Sequence, residues 1–210
     1  MLTIYSHPGS RGFRCVWAAE ELELPYEFKL VNLYKGEHKA PEYKAITPTG
    51  KVPCISVDGV TIAESGAILS FLGDKSGKLI PVAGSALRAK FEEMMYFVMT
   101  ELEQPLWLIG KHSFALPEDK RIEQNKALGA WEFQRALKVF SKMLGENDYA
   151  ISDVFSLADV AAGHTLAWAK AFELEIAPDN VKAYLERVTS REAYKKARQV
   201  EKDVKIAAGL

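Results

Sequence analysis

Ser10 stands in a Pro-Gly loop, HPGSRG, directly ahead of a helix-patterned segment spanning about 11 to 22. A hydroxyl placed there meets free backbone amides at the positive end of a helix, an arrangement that stabilises an anion such as a thiolate. A free thiol of pKa about 8.5 is only about 3% ionised at pH 7. Lowering it by about two units gives about 75% thiolate and requires roughly 2.7 kcal/mol. One hydroxyl hydrogen bond added to a helix terminus supplies that much. Taken without its neighbours, the commoner role of such a serine is to cap the helix.

Two further segments have the composition of a ligand cradle. Glu64 and Ser65 immediately precede the apolar helix pattern of SGAILSFL. Ser65 is a natural cap, and the amides behind it form an anion site. An acidic residue beside an anion site suits a ligand that carries an ammonium group next to its carboxylate, as an α-amino-acid head does; a capped helix with a solvated glutamate is the plainer reading. Pro53, in TGKVPCI, opens a strand that should pair within a sheet. Proline brings no amide hydrogen to a ladder. A cis peptide before it would turn the Val52 backbone outward as a ledge for an extended peptide, and an ordinary trans proline on an edge strand accounts for it equally well.

Other chemistries find less support. His7, His38, His112 and His164 show no nucleophile-base spacing, and His164 lies in an apolar helical run as a core histidine does. Cys15 and Cys54 form neither a C-x-x-C pair nor a zinc-ligand pattern, so they read as buried apolar side chains and no metal is expected. Lys and Arg number 27 against 28 Asp and Glu, without long runs of one sign, which argues against a nucleic-acid groove or an anionic membrane surface. No stretch approaches the roughly 18 apolar residues of a membrane span, and MLTIYSHPGS lacks the basic-then-apolar form of a signal peptide. A cytoplasmic location is the expectation.

Positioning these residues requires two kinds of structure. Strands are predicted at 2 to 5, 26 to 31, 52 to 57 and 60 to 62, with helices from about 11 to 22 and from Ser65. Asp58-Gly59 joins the last two strands as a hairpin, so the sheet is mixed. The order is that of a thioredoxin-like α/β domain over 1 to 78. After the Gly and Pro punctuation of a linker at 79 to 86, the chain from 87 to 210 reads as an all-α domain. Leu87, Phe91, Met94, Val98 and Leu102 form one helix stripe, and Ala130, Phe133, Leu137, Phe140 and Leu144 another.

Together these segments resemble the cytosolic glutathione transferases, over essentially the whole chain. GEHKAPEYKAITPTGKVPCI (36 to 55) is most similar to the serine-type plant and bacterial members, of phi or theta kind, and FSLADVA (155 to 161) to a folding signature of their helical domain, with Ser156 and Asp159 as a capping box. The resemblance implies that Ser10 bonds the glutathione sulfur, with a tyrosine-type mechanism through Tyr5 as second choice. It implies that His38, Lys39 and Lys51 contact the glycyl carboxylate, that the Val52 backbone pairs with the cysteinyl unit ahead of a cis Pro53, and that Glu64 and Ser65 hold the γ-glutamyl head. The implied activity is conjugation of glutathione to a small apolar electrophile held between the domains, in a detoxifying, cytoplasmic homodimer, with Phe13 and Trp107 as candidate pocket residues. Peroxidase, isomerase or dehalogenase activity on the same site is the alternative, a serine at position 10 weighs against a disulfide reductase, and a non-catalytic scaffold is the alternative of another class.

Overall fold

The computed structural model describes residues 1–210. The chain divides into two compact units, one formed by Met1–Ile80 with Thr189–Leu210 and the other by Pro81–Val188. In the first, β1 (Leu2–Ser6), α1 (Phe13–Glu21), β2 (Tyr26–Leu30), α2 (Pro41–Ile46), β3 (Cys54–Val57), β4 (Val60–Ala63) and α3 (Ser65–Ser76) follow one another. The four strands lie in the order β2-β1-β3-β4, with β1 and β2 parallel and the other neighbours antiparallel. This is the mixed sheet that the Asp58-Gly59 turn predicts. Both turn residues take positive φ, +50° and +78°, as a two-residue hairpin twisted to match its strands requires.

Alternation in β1 decides what covers each face. Leu2, Ile4 and Ser6 are buried while Thr3 and Tyr5 are partly exposed, so α1 and α3 pack against one side. On the other side Tyr5, Val52 and Ile46 of α2 close over Val31, Tyr43 and Cys54. β3 begins at Cys54 rather than at Val52, in keeping with the missing amide hydrogen of Pro53.

A final helix, α9 (Glu192–Ala208), also belongs to this unit. Here the structure departs from the expected all-α domain over 87 to 210. Tyr194 sets its ring edge-on against Phe13 and Trp17, and Arg191 forms a two-pronged ion pair with Glu21 at 2.6 and 2.7 Å. Those contacts fasten α9 along α1.

The second unit is helical throughout. α4 (Ala86–Phe97) runs through a wide turn at Val98–Leu102 into α5 (Gln104–Gly110), and α6 (Glu123–Leu144), α7 (Leu157–Ala171) and α8 (Asp179–Thr189) follow. Phe91, Met94, Val98 and Leu102 are buried, as are Phe133, Leu137, Phe140 and Leu144, whereas Leu87 in the first turn of α4 is exposed. The Asp159 carboxylate accepts from the Ser156 amide at 2.8 Å, the Ala150 amide at 2.7 Å and the Tyr184 hydroxyl at 2.9 Å, so one buried group ties the start of α7 to the preceding loop and to α8. No helix is long and apolar enough to cross a membrane.

Candidate functional site

Strand register brings the separate segments to one edge of the sheet. Tyr5 lies opposite Cys54, and Cys54 opposite Ala63. The end of β1, the beginning of β3 and the end of β4 therefore share one border. Leu30, at the end of β2, pairs with Ser6 at the same border, which the chain extends through the Val31 amide bonded to the Ser6 carbonyl at 2.8 Å. The Ser10 loop, the Val52–Pro53 segment, the Glu64–Ser65 corner and the turn carrying His38 and Lys39 all leave the sheet along this edge.

Ser10 is held by its own loop. Its amide donates to the His7 carbonyl at 3.1 Å, and its Oγ accepts from the Gly12 amide at 3.1 Å. The hydroxyl hydrogen has no acceptor within the chain. Gly12, which caps α1, packs so tightly that a Cβ there would lie 1.7 Å from Ser6 Oγ and 3.2 Å from Ser10 Oγ. Only glycine leaves this loop room to close. Tyr5 takes no part in the loop: its ring meets Tyr43 on the α2 side of the sheet, at 6.2 Å between centroids.

The second corner is built around a buried cation. Arg14, at 0% exposure, donates from Nη1 to Ser65 Oγ at 3.0 Å. With its oxygen so engaged, the Ser65 hydroxyl is left to donate. Glu64 precedes it at φ +66° and ψ +113°, a conformation that a non-glycine residue adopts at a cost of about 1–3 kcal/mol. The glutamate side chain is exposed and makes no cap, so the first amides of α3 keep no side-chain partner from that position. Anion-binding donors thus stand beside a free carboxylate.

The remaining predicted residues sit between these corners. The Val52–Pro53 peptide is cis, as the resemblance implies, and the Val52 amide and carbonyl find no partner in the chain. The Lys51 carbonyl accepts from the Tyr43 hydroxyl at 2.8 Å, while the lysine side chain is exposed, as is that of Lys39. His38 Nδ1 is buried without a hydrogen-bond partner. Burial, then Lys39 and Lys44, lowers the imidazole pKa from its ordinary 6.5, so His38 is neutral at pH 7. Gly50 presses against the His38 carbonyl so closely that an added Cβ would stand 2.8 Å from it, which joins the two segments.

Residues 1–74 match the family described as Glutathione S-transferase, N-terminal domain, and 93–192 match Glutathione S-transferase, C-terminal domain. A glutathione S-transferase designated hmp2, from Hypomyces subiculosus, is 31% identical over 84% of this chain and 88% of its own. The chain belongs to the glutathione S-transferase family.

Other relatives of this glutathione transferase differ in what they are named for. The disulfide-bond oxidoreductase YfcG of Escherichia coli is 29% identical over 92% of both chains. A glutathione transferase family member from Pseudomonas fluorescens, solved with two glutathione molecules bound, is 26% identical, with a TM-score of 0.83 over 94% of this chain and 92% of that one. The expected transferase fold, a four-stranded mixed sheet followed by helices, is met.

Three findings qualify the sequence reading of this transferase. Phe13, expected at a pocket wall, is fully buried beneath Trp17, Tyr194 and the Arg198 guanidinium. A cavity of about 570 Å³ opens beside α2 and β2, lined by Tyr5, Phe28, Leu30, Val31, Tyr43 and Ile46, and apart from Tyr5, the second choice for the sulfur, none of the predicted site residues lines it. Glu201 was not anticipated, yet it accepts from the Gly9 amide at 3.1 Å, one residue before Ser10. Both cysteines are buried as expected. Burial pushes the Cys15 thiol up to about 12 and that of Cys54 up to about 11.

Proposed function

We propose that this enzyme conjugates the thiolate of glutathione to small apolar electrophiles, with the Ser10 hydroxyl donating to the sulfur. The observation that carries this reading is the state of Ser10: its oxygen is fixed by the Gly12 amide while its hydrogen is unengaged. A donor so placed beside the first turn of α1 favours the ionised sulfur. The proton leaves to solvent, the sulfur forms a bond to the electrophilic carbon, and the electron pair of the broken bond departs with the leaving group. No metal is required.

The rest of glutathione has matching groups along the same edge. Its γ-glutamyl carboxylate suits the Ser65 hydroxyl and the α3 amides, and its ammonium suits Glu64. The unpartnered Val52 amide and carbonyl suit the extended cysteinyl unit. Lys39, Lys51 and neutral His38 suit the glycyl carboxylate. Tyr96 on α4 and Leu128, Trp131 and Val139 on α6 are exposed, which supports assembly with a second copy of the chain. A cytoplasmic, detoxifying role accords with this chemistry.

One observation favours a second reading. The relationship to an E. coli disulfide-bond oxidoreductase fits reduction of disulfides through the same bound thiolate. Cys15 and Cys54 are buried and protonated, so the attacking sulfur would again be that of glutathione.

Isothermal titration with glutathione, followed by turnover with chlorodinitrobenzene and with hydroxyethyl disulfide, separates these readings. Binding with aryl conjugation supports the first, binding with disulfide turnover alone the second. Absence of binding at millimolar glutathione would leave a scaffold protein. Hydroperoxide and haloalkane substrates extend the assay to the related activities.

A further inference from the structure

We propose that Glu201, on the last helix, is a positioning residue for Ser10: its carboxylate locks the Pro8–Gly9 peptide in the one orientation that presents the Ser10 hydroxyl to the substrate sulfur. This rests on the glutathione reading above and assigns a further residue to the same site.

The loop His7–Ser10 is a β-turn, closed by the Ser10 amide on the His7 carbonyl at 3.1 Å. Proline occupies its second position, and Gly9, at φ +81°, its third, which is the signature of a type II turn. Types I and II differ chiefly by a flip of the central peptide. That flip rotates the Gly9 N–H, which takes no part in closing the turn and needs a partner from elsewhere. Glu201 Oε1 supplies it at 3.1 Å. Without an acceptor there, nothing on that side opposes the flip, and the residue displaced by it is Ser10.

Glu201 is itself rigidly placed. It is 5% exposed, and its second oxygen meets Arg198 Nη1 at 3.4 Å. The Arg198 guanidinium lies 3.9 Å over the ring of Phe13, the first residue of α1, and is bounded by Tyr194. About two turns of α9, from Tyr194 to Glu201, thus grip the start of α1 and the loop before it through one arginine and one carboxylate. Burial raises the carboxyl to about 7, against the pull of the Gly9 amide, Arg198 and Lys205. A buried acid of this kind is costly to keep, and its contact with the Ser10 turn gives it a use.

Glu201→Leu, which fills the space but offers no acceptor, and Glu201→Gln, which keeps one, are the test. In each, the ionisation of bound glutathione is followed by thiolate absorbance against pH, with kcat and KM for glutathione measured in parallel. The proposal expects Glu201→Leu to raise the bound thiol pKa by about one unit and to lower kcat about tenfold or more, with KM within about twofold. Glu201→Gln should stay close to wild type. A folded Glu201→Leu protein with an unchanged thiol pKa and kcat overturns the proposal, even if its melting temperature falls. Should that variant not fold, Glu201→Asp carries the same expectation, because it retains the charge but draws the carboxylate back from Gly9. Failure of the wild type to bind glutathione would overturn the underlying reading as well.

Discussion

The guanidinium of Arg14, wholly enclosed by protein, reaches from α1 to Ser65 at the head of α3 and donates to its hydroxyl oxygen at 3.0 Å. That bond fixes the direction in which Ser65 can donate and brings a positive charge behind the proposed carboxylate site. Arg14→Met should therefore weaken glutathione binding about tenfold, and Ser65→Ala by a similar factor. The double variant should lose less than the product, since both act through one hydroxyl. Calorimetry on the three variants measures this directly.

Ser10→Ala removes the donor without disturbing the groups proposed for the γ-glutamyl and glycyl ends. The dissociation constant for glutathione should stay within about twofold, while kcat falls about a hundredfold and the bound thiol becomes about two pKa units less acidic. A serine that merely caps α1 would produce the opposite pattern, a drop in thermal stability with an unshifted thiol.

Gly12→Ala forces a methyl group into the oxygen of Ser6, so the loop must open. Unfolding in denaturant should show a loss of about 2 kcal/mol or more, with turnover falling further than stability alone explains.

Much of this was legible from residue types. The hairpin at Asp58-Gly59, the stripes of α4 and α6 and the pairing of Ser156 with Asp159 are local signals, and local physics sets them. The packing of α9 with the first unit was hidden because its packing face is Tyr194, Arg198 and Glu201, which aliphatic periodicity does not reveal. Glu201 was invisible for a related reason: its partner is a backbone amide 192 positions away, and a backbone donor leaves no trace in composition. The positive φ of Glu64 was hidden because that region normally advertises itself with glycine.

Asp159 offers a test by pH. Burial raises its carboxyl to about 6 from 3.8, outweighing the amide and hydroxyl donors that pull it down. Between about pH 4 and 6 the folded chain keeps a proton that the unfolded chain releases, so this group's contribution is complete below about 4 and declines as pH rises through about 6. Wild type minus Asp159→Asn, compared by melting temperature across pH 4 to 7, should show that downward slope. A flat difference would mean that the donors hold the carboxylate ionised throughout. Asp159→Ala should cost about 3 kcal/mol near pH 4, because the amides of Ala150 and Ser156 lose their acceptor, and the cost should shrink as pH rises through about 6.

Reagents that alkylate one sulfur alkylate others. A catalyst for such reagents works in the presence of compounds able to inactivate it, and its lifetime depends on how many nucleophiles it exposes. Here both cysteines are sealed in the first unit with their thiols held protonated, so the reactive sulfur at the proposed site arrives with each glutathione and leaves with each product. Under the proposed chemistry the protein's own thiols are spared as targets, and alkylation falls on a molecule that is discarded.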